Sequence, residues 1–591
     1  MNAKLSKAAP ILAATVFLVV FGPGQRPAPA QAMRVEVDCP VPVQPVAGGV
    51  APALVKVRND TKTPMRVSIT ADPGYYSPQR GMEYVKTIEV PPATTSQTML
   101  YTRHDGNSYF SLRVRDEDRR DEQHPGPNLK VGRSVLGLTS SRGSVQTLSG
   151  SLEEIIAADQ RGRRGGLEII EQKDAAPLPD SWMGYDTLQL MVAEDFPYAG
   201  LTPKQEGAIV QYVENGGTIY IVPGKLGQVF KSTLLAQLAD VTVAGSAPDP
   251  AMSNATRWDV QVRGARSTKL AEVVPCGAGT VVLFKYDILR PPLVGQSELR
   301  GGLGEIGKVA GRNEPARFTA STFGPTGASE RKTLPPTAVI GLLFTYLLVA
   351  CPGTYLLLRR KRRLVLLPIV FASVAVAFSI AIFFFGYLWK GTSTDIHESG
   401  VIRLLPGRTT AAARSTIGVM ASSNRRFELT FPEETFITTA NESDFRLTAR
   451  DNDDGTLSAE FTSVMWALCQ FEARTLLPQF GSLSVEGSGP GCIVRNQTQV
   501  DLIRCWYNNN GQWLELGSIP SGGTASAKAA MGVQAVPPDI RNARSIARTE
   551  SPSGSAIVGE ADGDVSAVPY KLARGSASKI TKKVYVVQEV R

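Results

Sequence analysis

A chain of 591 residues with a formal net charge of +9 is too long for one hydrophobic core and is expected to divide into about three or four domains. The positive balance is local, because Arg359, Arg360, Lys361, Arg362 and Arg363 form one run, and with Lys4, Lys7 and Arg26 they account for all but about +1 of it. A near-neutral remainder excludes the basic footprint of a nucleic-acid binder, and six cysteines in so long a chain exclude a disulfide framework.

Residues 1–32 read as a secretory signal peptide: Lys4 and Lys7, an apolar stretch from Ile11 to Phe21, and the small-residue exit Ala30-Gln31-Ala32. Cleavage would leave Met33 first, and an uncleaved signal anchor would keep the segment in the membrane; either form exports the chain beyond it. Residues 33–130 alternate apolar and polar positions between turns, as in Leu54-Val55-Lys56-Val57-Arg58, Met65 to Ile69, Tyr84 to Val90 and Phe110 to Val114. That pattern predicts an antiparallel β-sandwich of immunoglobulin-like type. His104 beside Asp105 reads as loop rather than as a catalytic pair.

Residues 131–296 change to strand alternating with helix. Strands are expected at Ser134 to Leu138, Leu167 to Ile170, Leu188 to Val192 and Thr218 to Val222, and a helix at Leu152 to Ala158. Thr202-Pro203-Lys204-Gln205 supplies an N-cap threonine, a proline at the first helical position and a glutamine at the third. The helix it starts has Ala208, Ile209, Tyr212 and Val213 on its apolar face and ends at Gly216-Gly217. A strand, helix, strand run of this kind predicts a parallel sheet with right-handed crossovers.

Trp182, Gly184-Tyr185-Asp186, Leu201 to Gln205 and Tyr212 to Gly217 resemble the class I glutamine-amidotransferase-like domain, over about 160 residues ending at Gly277 to Phe284. The resemblance implies a cysteine nucleophile on a sharp turn after a strand, served by a histidine. The matching turn here is Val222-Pro223-Gly224-Lys225, which has no Cys, Ser or Thr, and none of the three histidines His104, His124 and His397 lies within 131–296. The implied chemistry is therefore expected to be absent. Gly224-Lys225-Leu226-Gly227 lacks the spacing of a phosphate loop and reads as a surface loop.

Residues 297–332, rich in Gly, Arg, Ser and Thr, read as a linker before the membrane. Residues 333–389 read as a transmembrane hairpin with spans at 336–358 and 364–389, since neither Thr333 to Leu358 nor Leu364 to Trp389 contains a charged residue. The run Arg359 to Arg363 between them belongs on the cytoplasmic side, which places both flanks outside. Tyr387 and Trp389 then fall at the outer interface, and Pro352-Gly353 is expected to kink the first span.

Residues 390–591 return to strand alternation and predict a second β-sandwich. Its clearest part is a meander of Gly491 to Asn496, Val500 to Tyr507 and Gln512 to Gly517, with Asn510-Gly511 between the last two strands. Cys492 and Cys505 flank the first turn of that meander, so a disulfide and a pair of buried free thiols are both open. Trp506 and Trp513 read as sheet core, and Lys583 to Val587 as a last strand that rejoins the fold. With the hairpin motif Cys351-Pro352-Gly353-Thr354-Tyr355, this order of parts resembles a group of uncharacterised bacterial membrane proteins that join an amidotransferase-like domain to β-domains across two helices.

The expected role is a non-catalytic, membrane-anchored binding or scaffold protein outside the cytoplasmic membrane. Its expected partners are the lipid bilayer and envelope proteins, with no nucleic acid, no metal and no cofactor. Two alternatives stay open. One is an envelope hydrolase or amidase working through Asp186, Glu194 and Asp195, acids placed near a strand end where such sheets hold ligands. The other is a subunit of a transport or sensing complex built around the hairpin.

Overall fold

The computed structural model describes residues 33–41, 49–72, 82–104, 111–116, 121–125, 133–140, 143–150, 152, 167–224, 227–294, 296–310, 336–390, 393–439, 445–465, 467–487, 489–509, 512–528 and 555–590. The expected signal peptide at 1–32, the charged and polar stretch 311–332 and most of the helix expected at Leu152 to Ala158 lie outside them.

The fold is mostly β-sheet. Strands Met33–Asp38, Gly49–Asn59 and Thr95–His104 form a three-stranded antiparallel sheet, and the other N-terminal strands enter a larger one. That larger sheet runs Lys571–Arg574, Arg425–Phe431, Leu457–Ser463, Leu447–Asp451, Met82–Val90, Met65–Asp72, Ser111–Asp116, Asp121–Pro125. Half of its strands therefore precede the apolar hairpin and half come after it. The join is a parallel pairing that sets Leu447 opposite Met82 and Arg450 opposite Val85. Around it the Tyr84 hydroxyl donates to the Ile437 carbonyl at 2.9 Å, the Tyr84 and Phe436 rings stack with centroids 5.6 Å apart, and Arg446 pairs with Glu83. One hydrophobic core runs through both halves, taking Val67 and Ile69 from one and Leu447 and Phe461 from the other. A strand such as Met82–Val90 with a bare edge would be a template for stray pairing, and the later half covers it.

The second eight-stranded sheet is entirely C-terminal, in the order Phe436–Thr439, Leu468–Leu477, Ala411–Met420, Asp395–Leu404, Lys579–Glu589, Ala556–Ala561, Leu502–Asn509, Gln512–Ile519. Its last strand in sequence lies parallel to its first, so Lys579, where the last strand starts, stands beside Asp395, where the chain comes away from the hairpin.

Two turns are built alike in the two halves. The buried Asn59 side chain donates to the carbonyls of Thr63 and Val90 at 2.8 and 3.0 Å and accepts from the Thr61 backbone at 2.9 Å. The buried Asn496 donates to Val500 and Ile519 at 2.9 and 3.0 Å and accepts from Thr498 at 2.9 Å. The sequences match: Val57-Arg58-Asn59-Asp60-Thr61 and Val90-Pro91 correspond to Val494-Arg495-Asn496-Gln497-Thr498 and Ile519-Pro520. Each asparagine bonds one carbonyl within its own turn and one from a distant strand end, which is how a buried polar turn is made tolerable.

The second turn corrects the expected meander. Asn496 draws the chain away, so Ile493–Asn496 pairs with Leu483–Glu486 and Thr524–Ser526 in a separate three-stranded sheet, while Leu502–Asn509 pairs with Gln512–Ile519. Cys492 and Cys505 do not face each other across a hairpin. Both are buried free thiols, and burial raises the pKa of each.

The α/β region forms a seven-stranded sheet in which Leu167–Gln172, Arg133–Thr139, Leu190–Glu194, Thr218–Val222 and Gly279–Phe284 are parallel and Ala271–Cys276 and Arg266–Ser267 continue antiparallel. Helix Pro203–Glu214 starts with the expected capping box between Thr202 and Gln205 and buries Ala208, Ile209, Tyr212 and Val213. Part of the expected linker is helical: Ser297–Ala310 packs Leu299, Leu303 and Ile306 into the core on the other face of the sheet. Gly302 permits this, since a Cβ there would stand 2.2 Å from Leu270 Cδ1.

Between the halves stand two helices long and apolar enough to cross a membrane, Thr337–Arg360 and Leu364–Phe385. The first carries a π-helical turn at Val349–Gly353 around Pro352, where the ring removes a backbone donor and the Thr354 hydroxyl bonds the Ala350 carbonyl. Their side chains are largely exposed, as at Ile340, Phe344, Ile369 and Phe384, a surface suited to lipid rather than water.

Candidate functional site

The carboxyl ends of parallel strands are where an open α/β sheet offers a crevice. Strand Leu190–Glu194 ends there in two acids. Glu194 has no exposed surface, and Arg290 Nη2 stands 2.7 Å from its Oε1; the same guanidinium reaches Asp287 Oδ2 at 3.5 Å. Burial raises the Glu194 pKa, and the Arg290 charge opposes that rise. The pair pins the segment after Gly279–Phe284 across the end of the sheet.

Asp195 adopts φ +39° and turns its carboxylate onto the next strand's end. A Cβ placed on Gly224, itself at φ +57°, would lie 2.2 Å from Asp195 Oδ2. The Asp195 carboxylate thus fills the space that a side chain at Gly224 would need.

Asp186 is elsewhere. It closes the turn Trp182–Tyr185 before the strand begins, so the five-residue strand, about 16 Å long, separates it from Glu194 and Asp195. Its charge acts on Arg474 of the C-terminal sheet. The three acids proposed together from sequence thus occupy two sites, one before the strand and one at its carboxyl end. Among the described residues no group of three or more His, Cys, Asp or Glu could hold a metal ion.

What the structure brings together instead is a cleft of about 210 Å³ where the N-terminal strands, the α/β region and the C-terminal half meet, lined by Tyr84, Tyr101, Asp180, Lys204, Glu433 and Phe436 among others. The Tyr101 hydroxyl donates to Asp180 Oδ1 at 2.5 Å and accepts from the backbone N–H groups of Asp180 and Ser181 at 3.1 Å. Lys204 Nζ lies 2.6 Å from Glu433 Oε1, and Lys86 lies 3.4 Å from Asp451. Glu434, at φ +62°, accepts from Gln211 Nε2 at 3.5 Å. A second joint holds the far side, where Arg408 reaches Glu214 Oε1 at 3.0 Å, the Gln237 carbonyl at 3.0 Å and Cys276 Sγ at 3.1 Å. None of these joints was legible in sequence, since each pairs residues from different parts of the chain.

Glu434 gives the cleft a pH dependence. Burial raises its pKa above the usual glutamate value, Gln211 lowers it and Glu433 raises it further. A group that binds its proton more readily folded than unfolded adds stability that is complete below its unfolded pKa and lost as pH rises through its folded one. The melting temperature of the chain in detergent is therefore expected to fall less between pH 4.5 and 7.5 in Glu434→Gln than in the wild type; equal falls would remove Glu434 as a source.

Comparison with known proteins gives no matching family model and no matching curated protein.

Proposed function

We propose that this chain is a membrane-anchored, extracytoplasmic binding or scaffold protein of the bacterial cell envelope, held in the cytoplasmic membrane by the hairpin, with an immunoglobulin-like β-region and an amidotransferase-like α/β region that does not catalyse. The observation that carries the reading is the parallel pairing of Met82–Val90 with Leu447–Asp451. Two hydrogen-bonded strands cannot stand on opposite faces of a bilayer, so a hairpin between them leaves and returns on one side. The basic run Arg359 to Arg363 at its tip belongs in the cytoplasm, which puts both soluble halves outside. The non-catalytic part rests on Gly224 and Asp195, which close the turn where a nucleophile would stand.

Protease added to spheroplasts is expected to digest both halves while a tag placed between Lys361 and Arg362 stays protected. An uncut half beside a digested exported control overturns the orientation. Cross-linking in intact cells and capture of the full-length chain should return the same envelope protein in repeat preparations, and recovery of the chain alone overturns the scaffold reading.

A further inference from the structure

Outside the hairpin, the large hydrophobic side chains exposed among the described residues are Val464 (51 %), Met465 (37 %), Ile493 (44 %) and Ile580 (43 %). Strand register puts three of these four at one end of the C-terminal sheet. Asp395, the first residue of its strand, stands opposite Met420, and Met420 opposite Leu468. On its other side Asp395 stands opposite Lys579, and Ile396 opposite Ile580. Lys579, Asp395, Met420 and Leu468 thus form one row across four adjacent strands, about 14 Å wide at the usual strand spacing. Val464 and Met465 sit in the turn that leads into Leu468, and so project beyond the row.

The same row is tied to the second apolar helix. That helix ends at Lys390 and the strand begins at Asp395, five positions later, a reach of at most about 18 Å even fully extended. The opposite end of the sheet is spoken for, since Arg408, in the turn between Asp395–Leu404 and Ala411–Met420, docks on the α/β region. Cations stand at the helix end. Lys579 and Arg425 are both exposed, and Arg425 Nη1 donates to Ser576 Oγ at 3.2 Å while the Met465 backbone N–H donates to Asn424 Oδ1 at 2.8 Å, which gathers three loops into one surface.

We propose that this end of the sheet, with Val464, Met465 and Ile580 as its apolar contacts and Lys579 and Arg425 as its cationic ones, rests in the outer interface of the bilayer that the hairpin spans. Apolar side chains gain by leaving water there, and lysine and arginine meet anionic lipid phosphates. The inference depends on the membrane-anchored reading and adds to it a fixed stance of the soluble part, one end seated on lipid and the α/β region held away from it.

The test uses the full-length chain in nanodiscs of phosphatidylethanolamine and phosphatidylglycerol, with Cys39→Ser and Cys351→Ala to remove the two cysteines that are not buried. Nitroxide labels are placed singly by Val464→Cys at the proposed contact, Thr409→Cys at the opposite end, and Ile382→Cys in the helix, and collisions with oxygen are compared with those of a water-soluble nickel complex. The expected oxygen-to-nickel ratio at Val464→Cys is several-fold above that at Thr409→Cys, and addition of Met465→Asp lowers it. A ratio equal to that of Thr409→Cys, or one that Met465→Asp leaves unchanged, overturns the proposal when Ile382→Cys reports lipid; if Ile382→Cys also reports water, the anchored reading itself fails.

Discussion

Glu472→Leu is expected to destabilise the folded chain by about 3–5 kcal/mol, the range for removing one partner from a buried ion pair. Glu472 is 2 % exposed and stands in strand Leu468–Leu477 beside Ala411–Met420. Its two carboxylate oxygens lie 3.1 and 3.2 Å from Arg414 Nη2, and Oε2 lies 3.7 Å from Arg474 Nη2. Both arginines are buried, and the register sets them directly opposite each other. Burial lowers the Arg474 pKa first and the Arg414 charge lowers it further, while Asp186 and Glu472 draw it back. Leucine in place of the carboxylate takes from Arg414 the carboxylate at 3.1 Å and leaves two facing buried cations, with Asp186 still acting on Arg474. The measurement is the denaturant midpoint of the full-length chain in detergent. Adding Arg474→Met to Glu472→Leu should recover part of the loss, because it removes one of the two buried cations that then face each other. A single substitution costing under about 1 kcal/mol, at the level of an exposed pair, would refute the account.

The elements written in local signals were legible, and those written in distant pairings were not. Helix Pro203–Glu214 formed where Thr202, Pro203 and Gln205 announced it, because a capping box and a first-turn proline act within four residues. The strand at Thr218–Val222 and the pair Leu502–Asn509 and Gln512–Ile519 were likewise visible as alternation or as apolar runs beside a turn. Helix Ser297–Ala310 was hidden by Gly301, Gly302, Gly304 and Gly307, although Leu299, Leu303 and Ile306 keep helical spacing. The sheet common to both halves was beyond a local reading, since nothing near Met82 or Leu447 encodes that they pair. A comparison of the chain with itself had a usable signal. Val57-Arg58-Asn59 with Thr61, and Val494-Arg495-Asn496 with Thr498, mark the same turn twice. For the candidate site, sequence placed Asp186 with Glu194, two acids that the length of a strand keeps apart.

The second large effect is expected at Phe471, where truncation to alanine should cost about 3–5 kcal/mol. Phe471 has no exposed surface and lies in strand Leu468–Leu477 of the C-terminal sheet, yet its ring meets Phe431 at 6.3 Å and Phe461 at 5.7 Å, both in the sheet common to the two halves. Phe461 in turn stacks on Phe427 at 5.5 Å and meets Phe445 edge-on at 5.8 Å. Phe471 is thus the C-terminal sheet's contact with an aromatic cluster whose other rings sit across the interface, and a cavity there loosens both layers at once. Strand Leu447–Asp451 pairs with the Phe461 strand on one side and with Met82–Val90 on the other, so the loss should reach the join between the halves. Hydrogen exchange of the amides in Met82–Val90 should accelerate in Phe471→Ala along with a lower melting temperature, whereas Val365→Ala, at a side chain 91 % exposed, should change neither by more than about 0.5 kcal/mol. Accelerated exchange confined to Leu468–Leu477 and its immediate neighbours, with Met82–Val90 unchanged, would mean that the two halves hold together independently of this cluster. The β-regions would then be two units placed side by side rather than the single core that the mixed sheet and its shared hydrophobic interior describe.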